Sequence, residues 1–323
     1  MGKKKKVAVL TSGGDSPGMN AAIRGVVRAA IYFGFDVYGV KHGYQGLLEG
    51  DFVKMNLRSV SNIISRGGTI LHTSRSTEFN TPEGVKKAAE ICKEKGFSGV
   101  VCLGGDGTFR GALDLSREGI TCVGIPCTID NDIACTEYTI GFDTAISTAM
   151  ELTDKIRDTT ESHDRCSVVE VMGRKCGDIA IETALSVGAL AVLVPEVPFD
   201  IQKDVVDRMM KAYANGKQHF LIVAAEGVGD SQKIAEEIEK RSGLETRATV
   251  LGYVQRGGSP TQRDRAIAGI MGYRAAECIR NDDGSRIIAL RNGEVTDFEM
   301  EEALSMKRVF DADKYKIARR LSI

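Results

Sequence analysis

The sequence predicts an α/β protein made of two doubly wound, mostly parallel-sheet domains with the active site between them. Three features predict this class: short apolar runs alternate with amphipathic segments, the alternation restarts near residue 167, and glycine-rich loops follow several apolar runs. Buried strands that alternate with helices form parallel sheets covered on both faces. A chain of 323 residues is long enough for two such domains, each with its own core.

The first series of elements opens with the apolar run Val7–Leu10, which predicts a strand. Gly18–Gly34 is a helix candidate because its apolar residues recur on one helical face. Thr81–Glu83 combines a capping residue, a proline and an acid, which is typical of a helix start, and Gly96 is typical of a helix end. The series continues with strand Val100–Leu103, helix Arg110–Arg117, strand Cys122–Ile125 and the long helix Phe142–Thr160.

The second series repeats the alternation and predicts a second sheet. Its strands are predicted at Ser167–Val171, Ala191–Val194, Phe220–Ala224 and Thr249–Val254. Its helices are predicted at Asp178–Val187, Lys203–Tyr213, Gln232–Lys240 and Asp264–Arg280. No low-complexity linker separates the two series, so we expect the domains to lie close together with ligands between them.

The composition excludes several classes of protein. The 43 basic and 44 acidic side chains cancel, which argues against a broad nucleic-acid or membrane surface. The chain shows neither an apolar signal segment at its start nor the run of about 18 apolar residues that a membrane span needs. The eight cysteines lack C-x-x-C spacing and the four histidines lack metal-ligand spacing. We therefore expect a cytoplasmic protein whose cysteines are reduced and mostly buried.

Glycine-rich loops follow four predicted strands, at the edge where ligands bind in doubly wound sheets. Glycine lets the backbone approach an anion, and the helix behind each loop offers unbonded N–H groups. A tight strand-to-helix turn also needs glycine, so a single loop fits either interpretation. Several loops that each carry an acid or an arginine favour a ligand site. The loops are Thr11–Gly18, Gly104–Thr108, Met172–Arg174 and Ala225–Gly227.

These loops lack the lysine of a P-loop, and no G-x-G-x-x-G fingerprint follows the first strand. The positive charge for a phosphate must then come from a bound cation or from arginine. The arginine candidates are Arg75, Arg165, Arg174, Arg247 and Arg256. Asp106 would repel a phosphate at its loop unless Mg²⁺ lay between them, so Asp106 is the predicted metal ligand.

Asp130 and Asp132 follow the predicted strand Cys122–Ile125, in the segment "TIDND". Three roles are open: turn formation, cation binding, or removal of a proton from an attacking hydroxyl. If the segment is extended, alternation points both carboxylates to one side. A turn alone needs only one acid, whereas Mg²⁺-assisted phosphoryl transfer needs a base near the metal loop. This segment is therefore the candidate for the general base.

The chain resembles the bacterial ATP-dependent 6-phosphofructokinases nearly from end to end. The shared motifs, in family order, are "LTSGGDSPGMNAAIRGVVR", "RGGTIL", "GGDGT", "TIDNDI", "TIGFDTA", "RDTTESH", "EVMGR", "AEGVG" and "ETRATVLGYVQRGGSP". "GGDGT" alone is a weak signal because NAD kinases and lipid kinases are similar there, but the full series is specific.

The resemblance implies phosphoryl transfer from Mg-ATP to the 1-hydroxyl of fructose 6-phosphate, which gives fructose 1,6-bisphosphate and ADP in glycolysis. It implies a discontinuous ATP-binding domain, residues 1–141 and 255–305. The fructose 6-phosphate-binding domain would be residues 142–254 and 306–323.

The family's functional residues map onto this chain one by one. ATP is implied to contact Gly14, Arg75, Ser76, Gly105, Asp106, Gly107 and Thr108, with Asp106 on Mg²⁺. Asp130 is implied to be the general base, and the other catalytic residues are Arg75, Thr128, Asp132 and Arg174. The sugar phosphate is implied to contact Thr128, Ile129, Asp130, Arg165, Met172, Gly173, Arg174, Glu226, Arg247, Tyr253 and Arg256. Arg165 and Arg247 would reach it from a neighbouring subunit, which implies a homotetramer.

Some positions depart from the family's pattern or select between its branches. Pyrophosphate-dependent relatives carry Asp in place of Gly107 and Lys in place of Cys127, so the small uncharged residues here imply ATP. Tyr253 stands where the family usually has His, and Ser76 replaces a residue that often packs near the nucleotide.

A basic set resembles the family's effector site for ADP or phosphoenolpyruvate, although solvated helix faces would look the same. The matching residues are Arg24, Arg28, Arg157, Lys217 and His219. Leu190 and Asn215 stand where Glu and Arg are usual, which predicts altered control.

Three rival functions are open. One is a pyrophosphate-dependent phosphofructokinase, and another is a lipid or NAD kinase, against which "TIDND" and "EVMGR" argue. The third is a regulatory paralogue that binds nucleotide and sugar phosphate without turnover. Such a paralogue should have lost the base, the metal ligand or the charge-stabilising arginine, but Asp130, Asp106 and Arg75 are all present.

Overall fold

The computed structural model describes residues 4–322, and the chain divides into two compact units. The first unit contains the chain up to Thr144 together with Arg256–Arg308. The second contains Ala145–Gln255 together with the chain from Val309 onwards. Residues 1–3 and 323, which the predicted domain bounds include, lie outside the described residues.

Both units consist of alternating strands and helices. The strands are β1 Lys6–Thr11, β2 Asp36–Val40, β3 Phe52–Met55, β4 Phe97–Gly104, β5 Cys122–Pro126, β6 Cys166–Val171, β7 Ala191–Leu193, β8 Phe220–Ala225, β9 Thr246–Val250, β10 Arg286–Arg291 and β11 Glu294–Glu299. The helices are α1 Met19–Tyr32, α2 Gly43–Glu49, α3 Pro82–Lys95, α4 Asp106–Arg117, α5 Phe142–Ser162, α6 Asp178–Val187, α7 Asp207–Ala214, α8 Ser231–Ser242, α9 Gln262–Asn281, α10 Met300–Ser305 and α11 Ala312–Leu321. None of the helices in the described part of the chain is both long and apolar enough to cross a bilayer.

The sheet of the first unit has, in the described residues, seven strands in the order β11-β10-β5-β4-β1-β2-β3. The pairs β2–β3 and β10–β11 are antiparallel and the others are parallel. This confirms a mostly parallel, doubly wound sheet. The edge strands were not predicted because they are half-exposed and mix apolar with charged residues, as in "EVTDFE" of β11.

The strand order reverses between β1 and β4. From β1 the chain moves through α1 to β2, whereas from β4 it moves through α4 to β5, in the opposite direction along the sheet. Right-handed crossovers then require α1 and α4 to cover opposite faces of the sheet. α1 packs against α9, and α4 packs against α3 and α10. A crevice therefore opens at the carboxyl ends of β1 and β4, which is where ligands bind in such sheets.

The sheet of the second unit is all parallel, with four strands in the order β7-β8-β6-β9 over the described residues. The prediction of a strand at Thr249–Val254 was wrong in its bounds, because β9 ends at Val250 and Gly252–Arg256 forms a 3₁₀ turn. Gly252 has φ of 57°, a left-handed conformation that ends an extended strand. The predicted helix Lys203–Tyr213 begins as a π-helical turn, Ile201–Val206, before α7.

Helix starts and ends follow local chemistry. Thr81 caps α3 by accepting a hydrogen bond from the Gly84 amide (3.1 Å), and Gly96 ends it with φ of 71°, both as predicted. The helix predicted at Arg110–Arg117 starts earlier, at Asp106, with Gly105 in the capping position. The predicted metal ligand therefore occupies the first turn of α4, directly at the crevice. All eight cysteine side chains are buried, as expected of packing residues.

Candidate active site

The loops after β1 and β4 are joined to each other by hydrogen bonds. The Ser12 amide donates to the Leu103 carbonyl (3.0 Å), and Thr108 Oγ1 donates to the Ser12 carbonyl (3.0 Å). Gly104 is required by this junction, since a Cβ there would clash with both Thr108 Oγ1 and the Ser12 carbonyl. The two loops are therefore joined into one surface, which we call the floor. Gly104 is needed for the packing of these loops rather than for contact with a ligand.

Three other glycines in these loops leave space above the floor. A Cβ on Gly107 would meet nothing within 4 Å, and one on Gly105 would only touch Thr128, at 3.7 Å. A Cβ on Gly14 would lie 3.3 Å from the guanidinium of Arg256. The N-terminus of α4 faces this open cradle with backbone N–H groups and a positive dipole end. The cradle suits an anionic group such as a phosphate.

Asp106 carries the negative charge at the cradle. Arg110, one turn along α4, donates from Nε to Oδ2 (2.7 Å) and from Nη2 to Oδ1 (3.1 Å) of Asp106. This pairing raises the pKa of Arg110. Asp106, Arg110 and Asp132 line one cavity of about 150 Å³ at the carboxyl ends of β4 and β5.

The acidic side chains near the cradle decide whether the predicted Mg²⁺ fits there. Residues 4–322 contain no group of three or more His, Cys, Asp or Glu side chains arranged to hold a metal by themselves. Mg²⁺ is commonly bound by one or two carboxylates together with substrate phosphates and water. Asp106 and Asp132 on one cavity, next to an anion cradle, fit that kind of site.

Asp130 is 2% exposed and follows β5, the strand beside β4. Its amide donates to Thr128 Oγ1 (3.3 Å), and the Thr128 carbonyl accepts from Thr139 Oγ1 (2.6 Å). The expectation that an extended segment points Asp130 and Asp132 to one side is wrong. Residues 129 and 130 form a turn and Asn131 is left-handed, with φ of 51°. Asp130 is buried, while Asp132 lines the cavity with Asp106.

The segment that carries Arg75 is tied to the floor before this residue and to α2 after it. Thr73 Oγ1 donates to the Gly13 carbonyl (2.8 Å), and Ser76 Oγ donates to Gln45 Oε1 (2.7 Å). Ser76 Oγ also accepts from the Phe79 amide (3.1 Å). Arg75 itself is exposed. These contacts hold an exposed guanidinium in the same unit as the glycine cradle.

In the second unit, the loops at the carboxyl ends of β6 and β8 are held by two side-chain acceptors, the half-buried Glu226 and the buried Gln255. Glu226 Oε1 accepts from the amides of Gly173 (3.2 Å) and Arg174 (2.7 Å), and Gln255 Oε1 accepts from the Met172 amide (2.9 Å). Arg174 is left-handed, with φ of 54°. These contacts fix the loop "MGR" and expose the Arg174 side chain.

Arg165 and Arg247 lie at the opposite end of the same sheet. Arg165 directly precedes β6, and Arg247 pairs with Ser167 at the start of that strand. Both guanidinium groups approach Glu245, at 3.7 Å from Arg165 and 2.8 Å from Arg247, and they lower the pKa of Glu245. The six residues of β6 span about 20 Å, so these arginines are remote from the Met172–Arg174 loop within one unit.

The basic residues Arg157 and Lys217 are also neighbours in the second unit. Burial, and then the charge of Arg157, lower the pKa of Lys217. Arg157 Nη2 donates to the Val187 carbonyl. Leu190 is 3% exposed and packs in the core that includes Phe220. A partly buried pair of cations with no carboxylate at position 190 is suited to an anion.

The phosphofructokinase family model matches residues 6–279. ATP-dependent 6-phosphofructokinase from Clostridium tetani is 52% identical over 318 residues, which cover 98% of this chain and 99% of that protein. Phosphofructokinase from Saccharomyces cerevisiae superposes with a TM-score of 0.87 at 35% identity, over 93% of this chain and 45% of the yeast chain. Pyrophosphate-dependent phosphofructokinase from Marinobacter aquaeolei shares the fold, with a TM-score of 0.83 at 21% identity over 98% of this chain and 91% of that one.

The chain belongs to the phosphofructokinase family.

In this phosphofructokinase the predicted nucleotide residues all lie in the first unit, with Gly14, Gly105 and Gly107 on the loops after β1 and β4, and the predicted base follows the adjacent strand β5. Of the predicted sugar residues, Arg256 lies in the first unit beside Gly14, whereas Met172–Arg174 and Glu226 lie in the second. The predicted effector residues are also divided between the two units. Arg24 and Arg28 are on α1 of the first unit. The second unit contains Arg157, Lys217 and His219.

Sequence reasoning missed several residues that shape the site. The pairing of Arg110 with Asp106 was accessible, because residues four apart on a helix are neighbours. The contacts of Thr139 with Thr128, Gln255 with Met172 and Glu245 with Arg165 were not, since each joins segments whose proximity only the fold creates.

Proposed function

We propose that this protein is an ATP-dependent 6-phosphofructokinase. It transfers a phosphoryl group from Mg-ATP to the 1-hydroxyl of fructose 6-phosphate and forms fructose 1,6-bisphosphate and ADP, a step of glycolysis. The observation that carries the proposal is a buried carboxylate, Asp130, on the strand next to an open glycine cradle at a helix N-terminus. The names of relatives about half identical over nearly the whole chain support ATP as the donor. We expect a glycolytic kinase of this kind to act in the cytoplasm.

The first unit binds the nucleotide in this proposal. Gly14, Gly105, Gly107 and Thr108 let the phosphates approach the backbone, and the exposed Arg75 stabilises the charge of the transferred group. The open space at Gly107 accommodates the rest of the polyphosphate. Cys127 is fully buried, and burial together with the Asp264 carboxylate raises its pKa, so a neutral thiol stands where pyrophosphate enzymes have lysine.

Asp106 would hold Mg²⁺ together with the phosphates, with Asp132 on the same cavity, and the bound ion would neutralise phosphate charge. For Mg²⁺ to bind, Arg110 must release one or both carboxylate oxygens of Asp106. The ion pair between Arg110 and Asp106 is exposed, and exposed ion pairs are weak, so its loss costs little free energy.

Asp130 takes the proton from the sugar 1-hydroxyl. Its burial keeps the carboxylate away from water, and the turn that contains Ile129 holds it in place through Thr128. Positioning of this kind, rather than covalent chemistry, is the main contribution of a protein to phosphoryl transfer.

The second unit holds the sugar through Met172, Gly173, Arg174, Glu226 and the exposed Tyr253, with Arg256 on its phosphate. Arg165 and Arg247 lie too far along β6 to serve the same sugar, so they serve the site of another copy. A homotetramer is the closed assembly we expect.

A coupled assay that offers ATP or pyrophosphate with fructose 6-phosphate tests the proposed function. We expect turnover with ATP and none with pyrophosphate. Turnover with pyrophosphate alone would support the pyrophosphate-dependent alternative, and absence of turnover with both donors would support a non-catalytic paralogue.

Gly107→Asp should lower kcat/KM for ATP by about 30- to 100-fold, because a carboxylate in the open cradle repels the phosphates by several kcal/mol before screening. Gly107→Ala is the matched control, since a Cβ there meets nothing within 4 Å. We expect it to stay close to the wild type. Equal losses in both variants would show that size rather than charge matters and would contradict the assignment of this loop to phosphate.

ADP and phosphoenolpyruvate should be poorly distinguished as effectors. Arg157 and Lys217 form a partly buried cation pair that attracts either anion, but Leu190 supplies no carboxylate to separate them. Asn215 also lacks the charge of the usual arginine, and each lost charged contact is worth about 1.5–3 kcal/mol. Activity at subsaturating fructose 6-phosphate, measured while each effector is titrated, checks this. Strong activation by ADP opposed by strong inhibition by phosphoenolpyruvate would contradict it.

A further inference from the structure

Asp264 is a fully buried carboxylate in the first turn of α9 that none of the assigned roles uses. Its Oδ1 accepts from the Tyr138 hydroxyl (2.5 Å) and the Gly141 amide (2.7 Å). Its Oδ2 accepts from the amide (3.0 Å) and hydroxyl (2.5 Å) of Thr144. Four donated hydrogen bonds thus fix the segment 138–144 to the start of α9.

The segment 138–144 in turn holds the turn that carries Asp130. Thr139 Oγ1 donates to the Thr128 carbonyl (2.6 Å), and the Ile140 amide donates to the Pro126 carbonyl (2.9 Å). Thr128 is the residue whose hydroxyl accepts from the Asp130 amide. An unbroken series of contacts therefore runs from Asp264 to the backbone of the proposed base.

The same segment also supports the glycine loop after β1. Ser16 Oγ donates to the Ile140 carbonyl (2.9 Å). A Cβ on Gly141 would lie 2.8 Å from Ser16, and one on Gly18 would lie 2.6 Å from Ile140. The segment 138–144, the turn that carries Asp130 and the loop after β1 are closely packed against one another. A shift of the segment therefore moves the turn and the loop as well.

The surroundings of Asp264 favour a carboxylate over a neutral amide. The Gly141 and Thr144 amides lie at the N-terminus of α5, and Asp264 is itself in the first turn of α9, so two positive helix ends meet it. Burial raises the pKa of Asp264, while the donated hydrogen bonds act against that rise. The guanidinium of Arg263, the residue before Asp264, lies 4.6 Å from the centre of the Tyr138 ring and adds a positive charge near this carboxylate.

We propose that Asp264 is a positioning residue for phosphoryl transfer, which orients Asp130 through Thr139 and Thr128. This inference rests on the proposed function, in which Asp130 is the base. It assigns Asp264 no contact with either substrate.

Asp264→Asn should lower kcat by about 10- to 100-fold, because displacement of a reacting group by an ångström or less has effects of this size. The KM for fructose 6-phosphate should change little, and the KM for ATP should rise less than kcat falls, because only the loop after β1 among the proposed phosphate contacts moves with the segment. The midpoint of thermal unfolding should also fall. Turnover is therefore measured well below that midpoint and expressed per folded subunit. If Asp264→Asn does not fold, Tyr138→Phe keeps three of the four hydrogen bonds and should show a smaller loss of kcat.

Asp297→Asn is the matched control in the same unit. Asp297 has a 6% exposed side chain and also contacts α9, where it accepts from Arg274 Nε (2.8 Å), and it accepts from Arg286 Nε (2.6 Å). This control should lose stability while kcat stays unchanged. A loss of kcat equal to that of Asp264→Asn would mean that general destabilisation explains both, and the inference would be overturned.

A double-mutant cycle with Thr139→Val tests the route itself. If Asp264 acts through Thr139, Asp264→Asn should lower kcat much less in the Thr139→Val background than in the wild type. Fully additive effects would overturn the route. Failure of the proposed function is distinguishable, because the wild type would then show no turnover in the coupled assay.

Discussion

Asp130→Ser should lower kcat by about 10²–10⁴-fold while binding of fructose 6-phosphate is largely retained. The reason lies in the position of the side chain. Asp130 is 2% exposed at the end of β5, held by a turn, whereas the side chains that hold the sugar come from other loops. Removal of the carboxylate leaves the hydroxyl to attack without a proton acceptor, but it does not remove the phosphate contacts.

Steady-state kinetics and calorimetric titration of fructose 6-phosphate measure the two effects separately. Asp114→Ser is a suitable control, because Asp114 lies on α4 with an exposed side chain that forms a long ion pair with Arg117 (3.7 Å). It should retain turnover within about twofold, as surface substitutions usually do. A fully active Asp130→Ser variant would remove Asp130 from the role of base.

Arg247→Ser should raise the KM for fructose 6-phosphate by about 10- to 100-fold, because a hydrogen bond to a charged group is worth about 1.5–3 kcal/mol. The KM for ATP should stay nearly constant. Arg247 and Arg165 share Glu245 at the amino end of β6 and β9, and in the proposed tetramer they bind the sugar phosphate of another copy. The effect therefore depends on assembly as well as on charge.

Light scattering on the same samples gives the assembly state. Arg241→Ser is the control in the same unit, because its guanidinium pairs with Glu237 along α8 (2.5 Å). It should change neither KM value. A fully active monomer, or an unchanged KM in Arg247→Ser, would contradict the assignment of Arg165 and Arg247 to a shared site.

Several central strands of both sheets were accessible from sequence because burial on both faces leaves a strong local pattern, although the interior strands β2 and β10 of the first sheet were not predicted. Strands such as β1 and β8 are continuous apolar runs, and the ends of α3 carry their own chemistry in Thr81, Pro82 and Gly96. The half-exposed edge strands lack such a pattern, so β3 and β11 were not found.

The order of the motifs along the chain determined the family and named the candidate site residues. Local sequence contains this information because phosphate cradles and helix ends are built from neighbouring residues. What those residues touch was decided by the tertiary structure alone. The left-handed Asn131 interrupts the extended chain between Asp130 and Asp132, and Asp264 meets Tyr138, Gly141 and Thr144 from across the chain. Such contacts depend on which strands and helix ends pack together, and packing of remote segments leaves no signal at the spacing of a helix or a strand.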